Sequence, residues 1–200
     1  MLLIVSEEYH SRKFAKSGGT FEMCQLWLNL PAKYKMTAPT YQPILNQDIP
    51  SIDIQAASVR VIAGKVLGVT GPAKTFSPVE LLDVTFAPAS VNRSVDIDLP
   101  KGHTVIVFVR RGGISIDNGS DTQETLGPQA VAILDSKDDR DNEETVATLR
   151  VTATENNSAI IILGGEPINE PIAARGPFVM NTNEELIKAN QDFYAGRMGE

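Results

Sequence analysis

The 200-residue chain has a single cysteine, Cys24, and only two histidines, His10 and His103. A disulfide framework or a cysteine-based zinc cluster needs several thiols at defined spacing, so the sequence excludes both. It also lacks a Gly-x-Ser-x-Gly nucleophile elbow and a Walker-type phosphate loop. A lone thiol suits a reducing compartment, and we expect a cytoplasmic protein.

Positive charge and long apolar runs are scarce as well. Lys and Arg number 18 against 25 Asp and Glu, a net charge of -7, and no basic run is interleaved with aromatic residues. Because phosphates must be neutralised by such a surface, we expect no direct binding of nucleic acid. No stretch approaches the roughly 20 apolar residues of a membrane helix. The apolar residues 1–5 lack the basic flank of a signal peptide, so we expect neither export nor membrane insertion.

The chain is rich in short runs of Val, Ile and Thr separated by Gly, Pro, Asn and Asp. Such runs predict β-strands, and their close spacing favours a sandwich or barrel over alternating βαβ units. An apolar content of 42% is enough to build a core. The sequence therefore predicts an all-β fold. The predicted strands are residues 21–30, 59–63, 79–86, 94–99, 105–109, 114–116, 130–134, 148–153 and 159–163.

Local patterns predict how some of these strands are covered. The run Val95-Asp-Ile-Asp-Leu99 alternates, which predicts one buried and one exposed face. Residues 105–109 are apolar throughout, so we expect this strand to be covered on both faces. The following Arg110-Arg-Gly-Gly113 permits a tight turn.

One amphipathic helix is predicted near the C-terminus. Thr182-Asn-Glu-Glu185 has the spacing of a capping box, and Gly196 is a plausible stop. We expect the helix to dock on a β surface through one apolar stripe, which consists of Leu186, Ala189, Phe193 and Tyr194. Residues 31–50 are too rich in proline and polar residues for regular structure, which indicates a linker.

Two long, order-dependent segments resemble the pirin family. They are Gln25-Leu-Trp-Leu-Asn-Leu-Pro-Ala-Lys-Tyr-Lys-Met36 and Gly164-Gly-Glu-Pro-Ile-Asn-Glu-Pro-Ile-Ala-Ala-Arg-Gly-Pro-Phe-Val-Met-Asn-Thr182. Pirin-like proteins contain two cupins, so the resemblance implies a cupin barrel, a double-stranded β-helix or jelly roll, with a C-terminal α-helix. It also implies a division into three parts. We expect residues 1–40 to be leftover strands of an N-terminal cupin with the linker, 41–180 the C-terminal cupin domain, and 181–200 the helix.

The resemblance also implies a metal site in the N-terminal cupin of the family. A pirin-like site holds iron (Fe²⁺) in the N-terminal cupin with three histidines and one glutamate, ligands that leave open positions. In the string Ile4-Val-Ser-Glu-Glu8, Ser6 occupies the expected histidine position and Glu8 the glutamate position. The upstream His-x-His segment of the family has no counterpart here. We therefore expect no cofactor in this chain, and Glu8 is a metal ligand only by its family-equivalent position.

The remaining candidate residues have simpler interpretations. We expect His10 to be solvated in a loop and His103 to be a surface or hydrogen-bonded histidine at the start of a strand. Glu166 and Glu170, each followed by proline, resemble an acid–base pair but more simply shape a turn. The remaining two side chains, Cys24 and Trp27, are predicted to be buried in a strand. The acidic run 135–144 is interpreted as a solvated hairpin loop.

Three functions stay open at this point. The first is a metal-free, non-catalytic binding or regulatory module. The second is an iron-dependent dioxygenase of the quercetin-cleaving type, provided that a missing N-terminal half completes the site. The third is a transcriptional co-regulator that acts through a protein partner. Because leftover cupin strands would expose edges and an apolar face, we also expect a homodimer through the N-terminal strands.

Overall fold

Short antiparallel strands make up most of the computed structural model, which describes residues 12–117, 124–135 and 146–197. The strands are β1 (Ser51–Ile54), β2 (Ala57–Ala63), β3 (Lys65–Val66), β4 (Val69–Thr70), β5 (Val79–Phe86), β6 (Ser94–Pro100), β7 (Thr104–Arg111), β8 (Ile114–Asp117), β9 (Glu124–Leu126), β10 (Val131–Asp135), β11 (Val146–Ala153), β12 (Ala159–Gly165), β13 (Ala173–Arg175) and β14 (Phe178–Met180). The helices are α1 (Arg12–Ser17) and α2 (Asn183–Tyr194). Neither of these helices has the length and apolar character needed to span a bilayer.

Contacts divide the chain into two units. The larger unit is Gln42–Pro167, and the terminal unit combines Met1–Tyr41 with Ile168–Glu200. The expected division at residues 40 and 180 stays a prediction. Residues 31–50 contain only two short 3₁₀ turns, Ala32–Tyr34 and Asn46–Asp48, which confirms the predicted lack of regular structure. Their role as a linker stays a prediction.

The larger unit contains two main sheets that share one core. A six-stranded sheet has the order β1-β2-β5-β12-β7-β10, and a four-stranded sheet has the order β6-β11-β8-β9. Every pairing is antiparallel. Eight of the nine predicted strands are present within two residues of their expected ends. The all-β prediction is confirmed.

Alternation along the strands places the core between the sheets. Along β5, every second residue from Glu80 to Phe86 is buried, and in β6 the predicted face of Val95, Ile97 and Leu99 is buried. In β7 one face is fully buried while the other is only half-buried, so the prediction of cover on both faces holds in part. A period of two residues thus fills one core with aliphatic side chains.

The glycine turn between β7 and β8 is built against the start of β12. Gly112 has a φ of +67°, and a Cβ there would lie 2.5 Å from Ser158 Oγ and 2.8 Å from Ser158 Cα. Ser158 is fully buried, and its Oγ accepts a hydrogen bond from Gly113 N–H at 3.1 Å. The predicted tight turn is present, and it carries the chain from the six-stranded sheet to the four-stranded sheet. It requires glycine at residue 112 for both backbone conformation and space.

In the terminal unit, α2 packs on the hairpin of β13 and β14. The predicted capping box is present, because Thr182 Oγ1 accepts from Glu185 N–H at 3.2 Å and Glu185 Oε2 accepts from Thr182 N–H at 3.0 Å. The apolar contacts are made by Phe178, Met180, Leu186 and Ala189, packed with Ala173. The predicted docking of this helix on a β surface is confirmed for Leu186 and Ala189, whereas Phe193 and Tyr194 of the predicted stripe are 48% and 84% exposed.

The predicted strand over residues 21–30 is wrong. The described structure assigns no strand there, and the side chains of Cys24 and Trp27 are exposed instead of buried. Alternating apolar residues indicate a strand only where a neighbouring strand accepts the ladder of hydrogen bonds. This segment has the composition of a strand, but no strand of the described chain pairs with it.

Candidate functional site

The most buried ionisable pair of the larger unit is Glu80 with His103. Glu80 is the second residue of β5 and points to the core side together with Leu82, and His103 directly precedes β7. The His103 Nδ1 atom lies 2.8 Å from Glu80 Oε2, and the two side chains are 8% and 6% exposed. A polar pair at this depth is stable only because each group hydrogen-bonds the other.

Two glycines make room for the Glu80 side chain. Gly164 of β12 stands directly opposite Glu80 in the strand register, and a Cβ on Gly164 would lie 2.6 Å from Glu80 Oε2. Gly64, with a φ of +83°, would place a Cβ 3.1 Å from both Cα and Cγ of Glu80. Any larger residue at position 164 would displace the carboxylate from His103.

The pair does not fit the iron site that the resemblance implies. It supplies one imidazole and one carboxylate, which contact each other. No group of three or more His, Cys, Asp or Glu side chains suited to a metal ion occurs in residues 12–117, 124–135 and 146–197. The candidate positions Ser6, Glu8 and His10 lie outside the described residues.

Charged residues on the outer faces of the sheets stabilise strand pairing. Asp83 of β5 accepts from Arg60 of β2 at 3.0 Å and from Arg110 of β7 at 2.6 Å. On the four-stranded sheet, Arg150 binds Asp96 through two hydrogen bonds of 2.7 and 3.0 Å. These bonds hold the pKa of the Asp96 carboxyl below its usual value. Such cross-strand ion pairs are common structural features and do not by themselves indicate a ligand.

In the terminal unit, the two segments that resemble the pirin family contact each other. Glu170 Oε2 accepts from Ala32 N–H at 2.7 Å and from Asn181 Nδ2 at 2.9 Å. Lys35, which is 5% exposed, donates from Nζ to Asn29 Oδ1 at 2.6 Å and to the Val179 carbonyl at 3.4 Å. The unusual order of residues in both segments therefore serves to hold them together.

Burial of Lys35 predicts a pH-dependent stability of the terminal unit. Desolvation lowers the pKa of Lys35 from its usual 10.5, while Glu170 and Glu185 oppose the shift. At a pH between the pKa of Lys35 in the folded protein and its pKa in the unfolded chain, Lys35 is protonated mainly in the unfolded chain. The free energy of unfolding therefore rises with pH across this alkaline range. We expect wild type to gain stability relative to Lys35→Met as the pH approaches 10.5. Urea unfolding followed by the far-UV circular dichroism of α2, the longer helix of the terminal unit, measures this difference.

The matched control for this prediction is Lys33→Met, which removes an exposed ammonium two residues away. Subtracting its curve corrects for the general effect of losing one positive charge. A wild-type advantage over Lys35→Met that stays flat or falls as the pH rises would contradict the assignment.

Two of the candidate residues from the sequence, His103 and Glu170, are engaged in hydrogen bonds. His103 is hydrogen-bonded, as predicted, and it is buried. Glu170 lies in the segment that leads into α2, and its hydrogen bond with Ala32 connects that segment to residues 31–50. Glu166 is exposed. The acidic run 135–144 lies outside the described residues except for its first residue. Sequence reasoning missed Glu80 and Lys35. An acidic residue at an inward position of an alternating strand is a signal that could have found Glu80.

Comparisons with known proteins place these observations in a family context. Residues 82–199 match the family model described as the pirin C-terminal cupin domain. A Pseudomonas aeruginosa protein named, provisionally, as a quercetin 2,3-dioxygenase is 41% identical over 196 residues, which is 97% of this chain and 63% of that protein. Human pirin is 32% identical over 175 residues, 88% of this chain and 56% of pirin.

Among solved structures, quercetin 2,3-dioxygenase from Acinetobacter baumannii aligns with a TM-score of 0.80 at 39% identity. The alignment covers 96% of this chain and 62% of that enzyme. The predicted cupin fold is confirmed by this match and by the family model. The chain spans about three fifths of the length of the relatives that it matches.

Proposed function

The chain belongs to the pirin family, and from that premise we propose that it acts as a binding or regulatory module without a catalytic metal of its own. The observation that carries the proposal is the Glu80 and His103 pair. His103, the only histidine in residues 42–167, is engaged with the Glu80 carboxylate at 2.8 Å. Apolar side chains, among them Phe86, form the core that the two sheets share.

The charge of the chain supports a protein partner over nucleic acid. A net charge of -7 repels phosphate backbones, whereas the edges and loops of a β-sandwich readily serve as protein contacts. A transcriptional co-regulator that acts through another protein is one form of this function.

The alternative is an iron-dependent oxidoreductase of the quercetin 2,3-dioxygenase type. The names of the Pseudomonas aeruginosa and Acinetobacter baumannii relatives favour it. Those relatives are longer than this chain, and the alternative requires a complete metal site supplied by an N-terminal half. Ser6 in place of the family histidine argues against such a site within one copy of this chain.

The two functions are separated by metal analysis and turnover. We expect purified protein supplied with Fe(II) to retain far less than one iron per chain and to leave quercetin unconsumed, measured by atomic emission and by the absorbance of the flavonol. The Acinetobacter baumannii relative is the positive control. Iron near one per chain together with quercetin consumption would establish the alternative.

The variant Ser6→His provides a second test. We expect it to remain inactive, because the His-x-His segment that supplies the other two histidines of the family site has no counterpart in this sequence. A gain of turnover in Ser6→His would contradict the proposed function.

A further inference from the structure

The Glu80 and His103 pair bridges a strand to which neither residue belongs. Glu80 lies in β5 and His103 directly precedes β7, and β12 runs between these two strands in the six-stranded sheet. Strands two places apart in a sheet are separated by about 10 Å, so the two side chains meet across the inner face of β12. The carboxylate passes over Gly164, where a Cβ would lie 2.6 Å from Glu80 Oε2.

The side chains of β12 carry little information about its own register. Residues 159–163 are Ala-Ile-Ile-Ile-Leu, and Ile160 and Ile162 lie in the core. A slip by one residue exchanges the two faces of a strand, but a slip by two residues keeps the same side chains facing inward. In one such slip Ile162 moves opposite Glu80, and Ile160 takes its former place. Burial of apolar area therefore distinguishes this slipped register only weakly from the native one.

A slip by two residues in the other direction is excluded by the residues that follow β12. It would bring Glu166 opposite Glu80, so that two carboxylates stand side by side at the inner face. It would also draw Pro167 into the strand, and proline has no N–H to donate to the neighbouring strand. The slipped register that remains to be excluded is the one with Ile162 opposite Glu80.

We propose that the Glu80 and His103 pair, with the glycine that it crosses at position 164, is a register lock for β12. The native register places the one residue without a side chain under the carboxylate. In the slipped register the Ile162 side chain occupies this crossing point and separates the carboxylate from the imidazole. Both polar groups would then stay in the core without a partner, which is strongly unfavourable.

Register and stability are separate properties of a buried polar pair. Replacement of both partners by apolar residues of similar volume is often neutral or stabilising, whereas a polar pair that specifies register is needed for a unique structure. The variant Glu80→Met/His103→Leu is therefore expected to fold and to populate both registers of β12. A second variant, Gly164→Ala, breaks the bridge while both polar residues stay in place.

Disulfide trapping distinguishes the two registers. Every variant carries Cys24→Ser, so that the introduced thiols are the only ones. Leu81 pairs with Leu163 in the native register and would pair with Ile161 after the slip. In the native register Leu81 and Ile161 are diagonal neighbours about 7–8 Å apart, which is beyond the reach of a disulfide. Leu81→Cys/Leu163→Cys therefore traps the native register, and Leu81→Cys/Ile161→Cys traps the slipped one.

The experiment oxidises both cysteine pairs in each background and measures the cross-linked fraction by mass spectrometry of the intact chain. We expect the slipped-register disulfide to increase by about tenfold or more in Glu80→Met/His103→Leu and in Gly164→Ala, relative to the chain with the bridge intact. The control Val95→Ala removes a fully buried side chain of β6 in the other sheet. It lowers stability without touching the bridge, so the slipped-register disulfide stays at the level of the intact chain.

Two outcomes would overturn the proposal. In the first, the slipped-register disulfide does not increase in Gly164→Ala or in Glu80→Met/His103→Leu; if the double variant does not fold, Gly164→Ala alone decides. In the second, Val95→Ala increases this disulfide as much as the loss of the bridge does, which would make the slip a consequence of lower stability. Neither measurement involves iron or turnover, so the proposed function keeps its own test.

Discussion

Replacing Glu80 with alanine is expected to destabilise the larger unit by about 3 kcal/mol, because a buried imidazole loses its carboxylate partner inside the core. His103 cannot turn toward water without opening the end of the sandwich, since its side chain is 8% exposed. Far-UV circular dichroism during urea unfolding measures the loss. Both described α-helices lie in the terminal unit, so the helical part of the spectrum reports on that unit separately.

Two further variants identify the physical cause of that loss. Glu166→Ala removes an exposed glutamate of the same unit and is expected to change stability by less than about 0.5 kcal/mol. The double variant Glu80→Met/His103→Leu is expected to be more stable than Glu80→Ala, because it leaves no polar group without a partner. If the double variant loses as much as the sum of its single variants, the pair does not act as one unit.

The second large effect is expected at Gly112, where alanine should cost about 3 kcal/mol or more. A positive φ of +67° strains any L-residue with a side chain by about 1 kcal/mol. The added methyl would also overlap Ser158 Cα and Oγ, which belong to a fully buried residue that hydrogen-bonds the turn at Gly113. The same unfolding assay measures the change.

Alanine variants at two other glycines separate the cost of backbone strain from the cost of steric overlap. Gly68 has a φ of +84°, and a Cβ added there would meet no other atom within 4 Å, so Gly68→Ala tests strain alone. Gly127 has open space and no positive φ, so Gly127→Ala is expected to be nearly neutral. A Gly112→Ala variant no less stable than Gly68→Ala would mean that the contact with Ser158 relaxes at no cost.

The strands of the larger unit could be predicted because their signals are local. Period-two alternation, as in Val95 to Leu99, depends only on which face of a strand is buried, and glycine pairs such as Gly112 and Gly113 determine where strands turn. The capping box at Thr182 and Glu185 is local for the same reason. Each feature follows from a few neighbouring side chains, which act in the same way in any fold that offers a core.

The candidate site was harder to predict because its residues meet only through strand order. Glu80 and His103 are 23 residues apart and come together because β12 inserts between β5 and β7 with Gly164 opposite the carboxylate. The alternation of β5 marks Glu80 as inward, but no local pattern indicates that His103 will be its partner. The burial of Lys35 is similar, since its partners come from both ends of the chain.

The amino-acid sequence by itself determined the all-β class, the positions of most strands, the capped final helix and the family, because short-range spacing and fixed motifs carry that information. The tertiary structure alone decided which polar groups are paired in the core and that residues 21–28 lie exposed. A side chain becomes buried or exposed only when distant segments do or do not pack over it, and this long-range choice is absent from local sequence.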